Sequence, residues 1–100
     1  MIRDFAAVVA ALGDEPAVTK GRMFGSEGLK VGKKVFAMEV RGKLVVKLSV
    51  ERASALRDAG LAQPFDPGHG RPMKQWVAVG PRARVDWLLL SREALTHVAG

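Results

Sequence analysis

Ile2, Phe5, Val9 and Leu12 recur at spacings of three and four, which marks one face of a helix. Gly13 supplies its C-terminal stop, and Asp14-Glu15-Pro16 reads as the loop that follows. Ala6, Ala7, Val8, Ala10 and Ala11 fill the remaining positions, so the helix is apolar nearly all round. Such a helix is normally buried on more than one side, which points to a partner surface such as a homodimer. It is equally the composition of a helix that is rich in Ala because Ala suits helices.

From Val18 to Ser49 the pattern changes to strands. Leu29 and Val31 alternate, and Gly32-Lys33 between apolar runs suits a two-residue type II′ hairpin loop. The runs Lys34–Val40 and Lys43–Ser49 flank Arg41-Gly42 as a second hairpin. A two-residue Arg41-Gly42 loop would pair Met38 with Val45 and Phe36 with Lys47, mixing the faces. A three-residue loop of Val40, Arg41 and Gly42 pairs Met38 with Leu44, Phe36 with Val46, Lys34 with Leu48 and Glu39 with Lys43. It keeps the large apolar residues on one face, so it is the register expected.

Ser49 is placed to cap a helix from Val50, with Ala53, Leu56 and Ala59 as its apolar stripe. Gly60 and Leu61 close it in the left-handed manner. Pro64–Pro72 is thick with turn formers, Lys74–Val79 reads as a last strand, and Pro81 is placed to open a final helix. Val85, Leu88, Leu89, Leu95 and Val98 make that helix's expected buried side. The order is α-β-β-β-α-β-α, with room for one further strand around Val18–Phe24 or Gln63–Phe65. The fold class is α+β: two layers, an antiparallel β-meander with helices on one face.

Length and composition add bounds. One hundred residues, 48% hydrophobic and 26% charged, make a single domain over residues 1–100, with no linker, repeat or low-complexity segment. The absence of Cys excludes disulfides, thiolate metal sites and a Cys nucleophile, and it fits a reducing cytoplasm. The apolar stretch Phe5–Leu12 is far shorter than the ~20 residues of a spanning helix. It also lacks the basic flank and cleavage site of a signal peptide. A soluble cytoplasmic protein without membrane contact is expected.

Candidate chemistry is sparse. His69 lies in a Gly-rich loop and His97 in the last turn of the final helix, and neither has a ligand partner at metal spacing. Gly68-His69-Gly70-Arg71 lacks the strand before and the helix after that a phosphate cradle needs. Ser26 and Ser91 have no neighbouring His or Asp, the carboxylates are scattered, and Met23, Phe24 and Trp76 read as core. No catalytic residue, cofactor site or metal site is expected, and the protein reads as a non-enzyme.

Charge is more informative. The formal net charge is +6, and residues 20–47, with eight basic and two acidic side chains, carry a surplus of that same size. Lys33 and Lys34 sit at one hairpin tip and Arg41 and Lys43 at the other, with Lys30 and Lys47 on the strands. These six are the candidate anion or nucleic-acid contacts, tips that straddle a phosphate backbone like small wings. The ordinary alternative is a solvated sheet edge guarded by Lys. No Tyr accompanies the charge, which argues against single-strand binding by stacking.

Met23-Phe24-Gly25, Gly28-Leu29-x-Val31, Val35-Phe36-Ala37 and Leu44-x-x-Lys47-Leu48 resemble the N-terminal domain of the TfoX/Sxy family. Pro64-Phe65, Gly70-Arg71-Pro72-Met73-Lys74-x-Trp76-Val77 and the terminal helix with Trp87 continue the likeness, from about Val18 to Val98. The chain departs from the family pattern at Ser26, where Gly is usual, in the turn Val31-Gly32-Lys33-Lys34, and at Val45, where Tyr is frequent. The resemblance implies an α+β fold and a regulatory or accessory role, since longer members regulate competence-gene transcription. Those members carry a helical C-terminal domain; a stand-alone N-terminal domain is expected here. The matching positions look like turns and core and supply no binding residues. The expected function is transcription-associated, through DNA or a DNA-bound regulator. The alternative is a protein-interaction or homodimerisation module without nucleic-acid contact.

Overall fold

The computed structural model describes residues 1–23, 25–68 and 70–100. The Phe24 and His69 expectations lie outside them. In chain order the elements are α1 (Phe5–Leu12), β1 (Val18–Met23), β2 (Ser26–Val31), β3 (Lys34–Val40), β4 (Lys43–Lys47), α2 (Val50–Asp58), β5 (Gln63–Phe65), β6 (Met73–Val79) and α3 (Trp87–Ala99). The α+β reading holds, and both of the places with room for a further strand carry one. The strands form one antiparallel sheet in the order β1-β2-β3-β4-β6-β5, open at both ends.

The β2–β3 turn is the one expected: Val31 pairs with Lys34 across Gly32-Lys33, and Gly32 takes a φ of 61°. The β3–β4 register is not. Val40 pairs with Lys43, Glu39 with Leu44, Met38 with Val45 and Ala37 with Val46, across a two-residue Arg41-Gly42 loop. Arg41 (φ 53°) and Gly42 (φ 77°) are both left-handed, the signature of a type I′ turn, whose twist matches that of the strands. The objection of mixed faces fails for two reasons. Leu29 pairs with Ala37 and Lys30 with Val35, which leaves Phe36 as the extra residue of a bulge that resets the alternation. Moreover, Leu44, Val45 and Val46 are all buried, so β4 is covered on both sides and Val45 has no need to share a face with solvent.

Two apolar clusters result. The larger joins Phe36, Leu44, Val46, Val77 and Val79 to the helices through Phe5, Val8, Leu12, Leu56, Trp87 and Leu90. The smaller contains, among the described residues, strand residues alone: Met38, Val45, Phe65, Trp76 and Ala78, flanked by Met23, Val35, Val40 and Met73. All helices therefore lie on one side of the sheet. Gly28 marks a close approach on the other side, where a Cβ would stand 2.8 Å from the Ala37 carbonyl oxygen and 3.1 Å from Met38 Cβ.

The helix ends follow local chemistry. The Ser49 hydroxyl accepts from the Arg52 amide (3.1 Å), and α2 closes with Leu61 N–H to Leu56 C=O and Gly60 N–H to Arg57 C=O, both 3.0 Å, with Gly60 left-handed. α3 does not begin at Pro81. The Ala83 amide donates to the Gly80 carbonyl (3.2 Å), so Pro81 takes the second position of a turn, which suits its fixed φ. The Asp86 carboxylate then caps α3 by accepting from the Leu88 (2.9 Å) and Leu89 (3.3 Å) amides. That start turns Trp87, Leu90, Ser91 and Ala94 inward and leaves Leu89, expected inside, 65% exposed. Ile2 lies outside α1, and its carbonyl accepts from the Trp87 amide at 2.7 Å, tying the N-terminal residues to the start of α3. In α1, Phe5, Val8 and Leu12 are buried while Ala6 and Ala10 are exposed.

Candidate functional site

The six candidate cations are positioned by β2, β3 and β4. Lys33 and Lys34 are exposed at the β2–β3 turn, and Arg41 is exposed at the β3–β4 turn. Seven residues of β3 separate the two turns, about 20 Å at strand rise, so they occupy opposite ends of the sheet and cannot pinch one phosphate. Lys30 pairs with Val35, beside Lys34, and Lys47 follows the Ala37–Val46 pair toward the same end. The sheet thus groups Lys30, Lys33, Lys34 and Lys47 at one end, and Arg41 with Lys43 at the other.

Several of these side chains have specific settings. Lys30 lies along Gly21, where an added Cβ would collide with its Cδ. Lys47 stands opposite Trp76 and is half-buried. Lys43 Nζ donates to Gln63 Oε1 at 2.9 Å, reaching from β4 across β6 to β5. Among the described residues the ion pairs are Arg52–Glu93 (2.8 Å), which links α2 to α3, and Arg92–Glu15 (3.6 Å). Neither draws on the cations of residues 20–47, which have no ion pair among the described residues.

At the Arg41 end the helix-free face opens into a groove of about 590 Å³. Val45, Ala78 and Phe65 line it together with Arg41, Lys43 and Asp66. Sequence reasoning missed this groove because it depends on β5 joining the sheet beside β6 and on Val45 facing away from the helices. The one local signal was the Arg-Gly pair, which fixes the two-residue turn. Among the described residues no three His, Cys, Asp or Glu side chains are grouped to hold a metal ion. Among the described residues no helix is long and apolar enough to cross a membrane.

The sequence model of the TfoX N-terminal domain matches residues 10–97. The chain belongs to the TfoX N-terminal domain family. No curated protein and no solved structure gives a significant match. In this TfoX N-terminal domain the residues that carry the likeness serve packing and turns. Leu29, Phe36, Ala37, Leu44, Leu48, Phe65, Trp76 and Val77 are buried, and Gly25 and Gly70 are left-handed. Ser26, at the position where the family usually has Gly, pairs with Met23 across the β1–β2 turn and borders the groove. The cations at the two sheet ends fall mainly outside those motifs, so the family match identifies the scaffold and leaves the surface chemistry to be argued from the charges.

Proposed function

We propose that this TfoX N-terminal domain is a non-catalytic regulatory or accessory module, transcription-associated, that contacts duplex DNA through its basic meander. The observation that carries this reading is the cation surplus of residues 20–47 standing on one sheet without ion pairs among the described residues. Paired lysines at a rigid hairpin tip suit phosphate positioning rather than base reading, so the contact is sequence-tolerant. Lys33 and Lys34 at one end and Arg41 and Lys43 at the other, about 20 Å apart, reach separate phosphates. Four such contacts correspond to a slope of about −3.6 in log K against log salt.

A titration against duplex DNA at several salt concentrations tests the reading. Replacing Lys33 and Lys34 together by Gln is expected to flatten the slope by about 1.8. No binding at ~50 mM salt, or binding without a salt slope, removes the direct-DNA reading.

A protein-interaction or homodimerisation role is the second reading. It is favoured by β1, which among the described residues pairs only with β2 and leaves a six-residue outer edge open. Sedimentation of the chain at high concentration discriminates here, since a strict monomer removes the homodimer.

A further inference from the structure

We propose that the outer edge of β1 takes an extended acidic peptide as a further strand of the sheet, one with carboxylates two residues apart. The proposal rests on the protein-interaction reading above and names the chemistry of the partner. The two edges of the sheet differ. β5 is three residues long, carries Pro64 and shifts register against β6, all of which blunt an edge. β1 has six residues, no Pro and an unbroken register with β2 from Val18–Val31 to Met23–Ser26. The Val18 amide donates to the Glu15 carbonyl at 3.0 Å and so points away from β2. By the alternation of an antiparallel ladder, Lys20 and Arg22 also turn their backbone groups outward. Those groups have no backbone partner among the described residues. Donors and acceptors in alternation are matched by a peptide backbone, whereas a phosphate backbone offers acceptors alone.

Charge selects the peptide. Lys20 and Arg22 are exposed and share the face of β1 on which Val18 packs toward the helices. Arg22 Nη1 donates to the Gly25 carbonyl oxygen at 3.3 Å, a neutral partner that steadies the guanidinium without cancelling it. Glu27 stands opposite Arg22 on β2, and the two form no ion pair among the described residues. Lys30 adds a cation on the opposite face. Its Cγ, Cδ and Cε pass over Gly21, so a side chain rooted on β2 crosses β1 toward the open edge. A side chain at position 21 would close that path. Cations thus flank the edge on both faces.

A second copy of the chain is the poorer occupant. Antiparallel pairing of β1 with itself brings the outward residues of one copy against those of the other. The registers with the longest overlap then set Lys20 opposite Lys20 or Arg22 of the second copy, and like charges directly opposite are destabilising. An acidic strand reverses that sign. Its residues at i and i+2 share a face, as Lys20 and Arg22 do.

The test is amide-resolved hydrogen exchange of the full chain, read by NMR, with two blocked peptides. One is Thr-Glu-Val-Glu-Val-Glu-Thr and the other has Lys in place of each Glu. The Glu peptide should slow exchange at the Lys20 and Arg22 amides, and the Lys peptide should not. Lys20→Gln with Arg22→Gln removes two exposed charges and should weaken the Glu peptide about tenfold. Lys33→Gln with Lys34→Gln, which tests DNA contact, should leave it within about twofold. Absence of protection with either peptide overturns the proposal, as does undiminished binding by the Lys20 and Arg22 double variant. Equal protection by both peptides keeps the edge as a docking strand and overturns its acidic preference. Binding without protection of those amides reduces the contact to surface charge and overturns the added strand. Protection on concentrating the chain alone gives the edge to a second copy and overturns it too. Sedimentation reads the dimer independently, so the peptide titration can fail while the interaction reading stands.

Discussion

The two faces of the sheet are closed by different means. On one, α1, α2 and α3 cover Phe36, Leu44, Val46, Val77 and Val79, and the helices contribute as many large side chains as the strands do. On the other, Met38, Val45, Phe65, Trp76 and Ala78 bury one another with no helix residue among them. The first face is a filled interior. The second is a thin apolar layer with cations at its margin, and it ends in the groove at Arg41 and Lys43. The sheet is thus covered on one side by helices and on the other, among the described residues, by side chains of its own strands.

Truncation of two β3 residues on opposite faces tests that contrast most strongly. Phe36→Ala removes a fully buried ring from beneath the helices and should cost about 3–5 kcal/mol, read by urea denaturation. Met38→Ala on the thin face should cost near 2 kcal/mol, because a strand-only cluster has more freedom to collapse into the space left. Equal losses would mean that the second face is packed as firmly as the first.

A smaller effect is expected at Gly28. A methyl group there meets the Ala37 carbonyl oxygen at 2.8 Å, and since the obstacle is backbone, Gly28→Ala should cost about 1–3 kcal/mol in thermal denaturation. An unchanged melting temperature would show that the bulge at Phe36 yields easily.

The smallest effect has the opposite sign. Ser91 is fully buried on the helix side, and its Oγ has no hydrogen-bond partner among the described residues, nor does Trp87 Nε1 one turn earlier. Ser91→Ala removes a desolvated hydroxyl and raises helix propensity, so stability should rise by about 0.5–1 kcal/mol in the same measurement. A loss instead would indicate that the hydroxyl is bonded within the interior.

Much of this architecture can be read from local chemistry along the chain. The Gly32-Lys33 turn, the Ser49 cap and the Gly60-Leu61 closure each depend on a few neighbouring residues, and each stands where the sequence places it. The errors have a common origin in non-local structure. The Met38–Leu44 register assumed one buried face, whereas β4 is buried on both. Phe36 and Met38 look like alternating partners until the bulge separates them into different clusters. Leu89 reads as core from the apolar pattern of the final helix, but the inward face of α3 carries Trp87, Leu90, Ser91 and Ala94 and leaves Leu89 in solvent. For the candidate site, the cations were legible as residues, but their division between two ends of the sheet was not. That division follows from the length of β3, which charge counting ignores. The groove was invisible for a related reason: Gln63 and Lys43 are 20 residues apart and meet only because β5 lies beside β6.

The bond from the Trp87 amide to the Ile2 carbonyl has a consequence for synthesis of the chain. α3 packs on β3 and β4 at the centre of the sheet, and α1 packs on α3. A nascent chain that has not yet released α3 can pair its first four strands, since their turns are local. It cannot yet roof them, and α1 lacks α3, the element it packs against most. Without α3, part of the cover over Phe36, Leu44 and Val46 is missing, and exposed apolar surface of that kind is what makes incomplete chains prone to aggregation. The Ile2–Trp87 bond can form only once α3 has emerged.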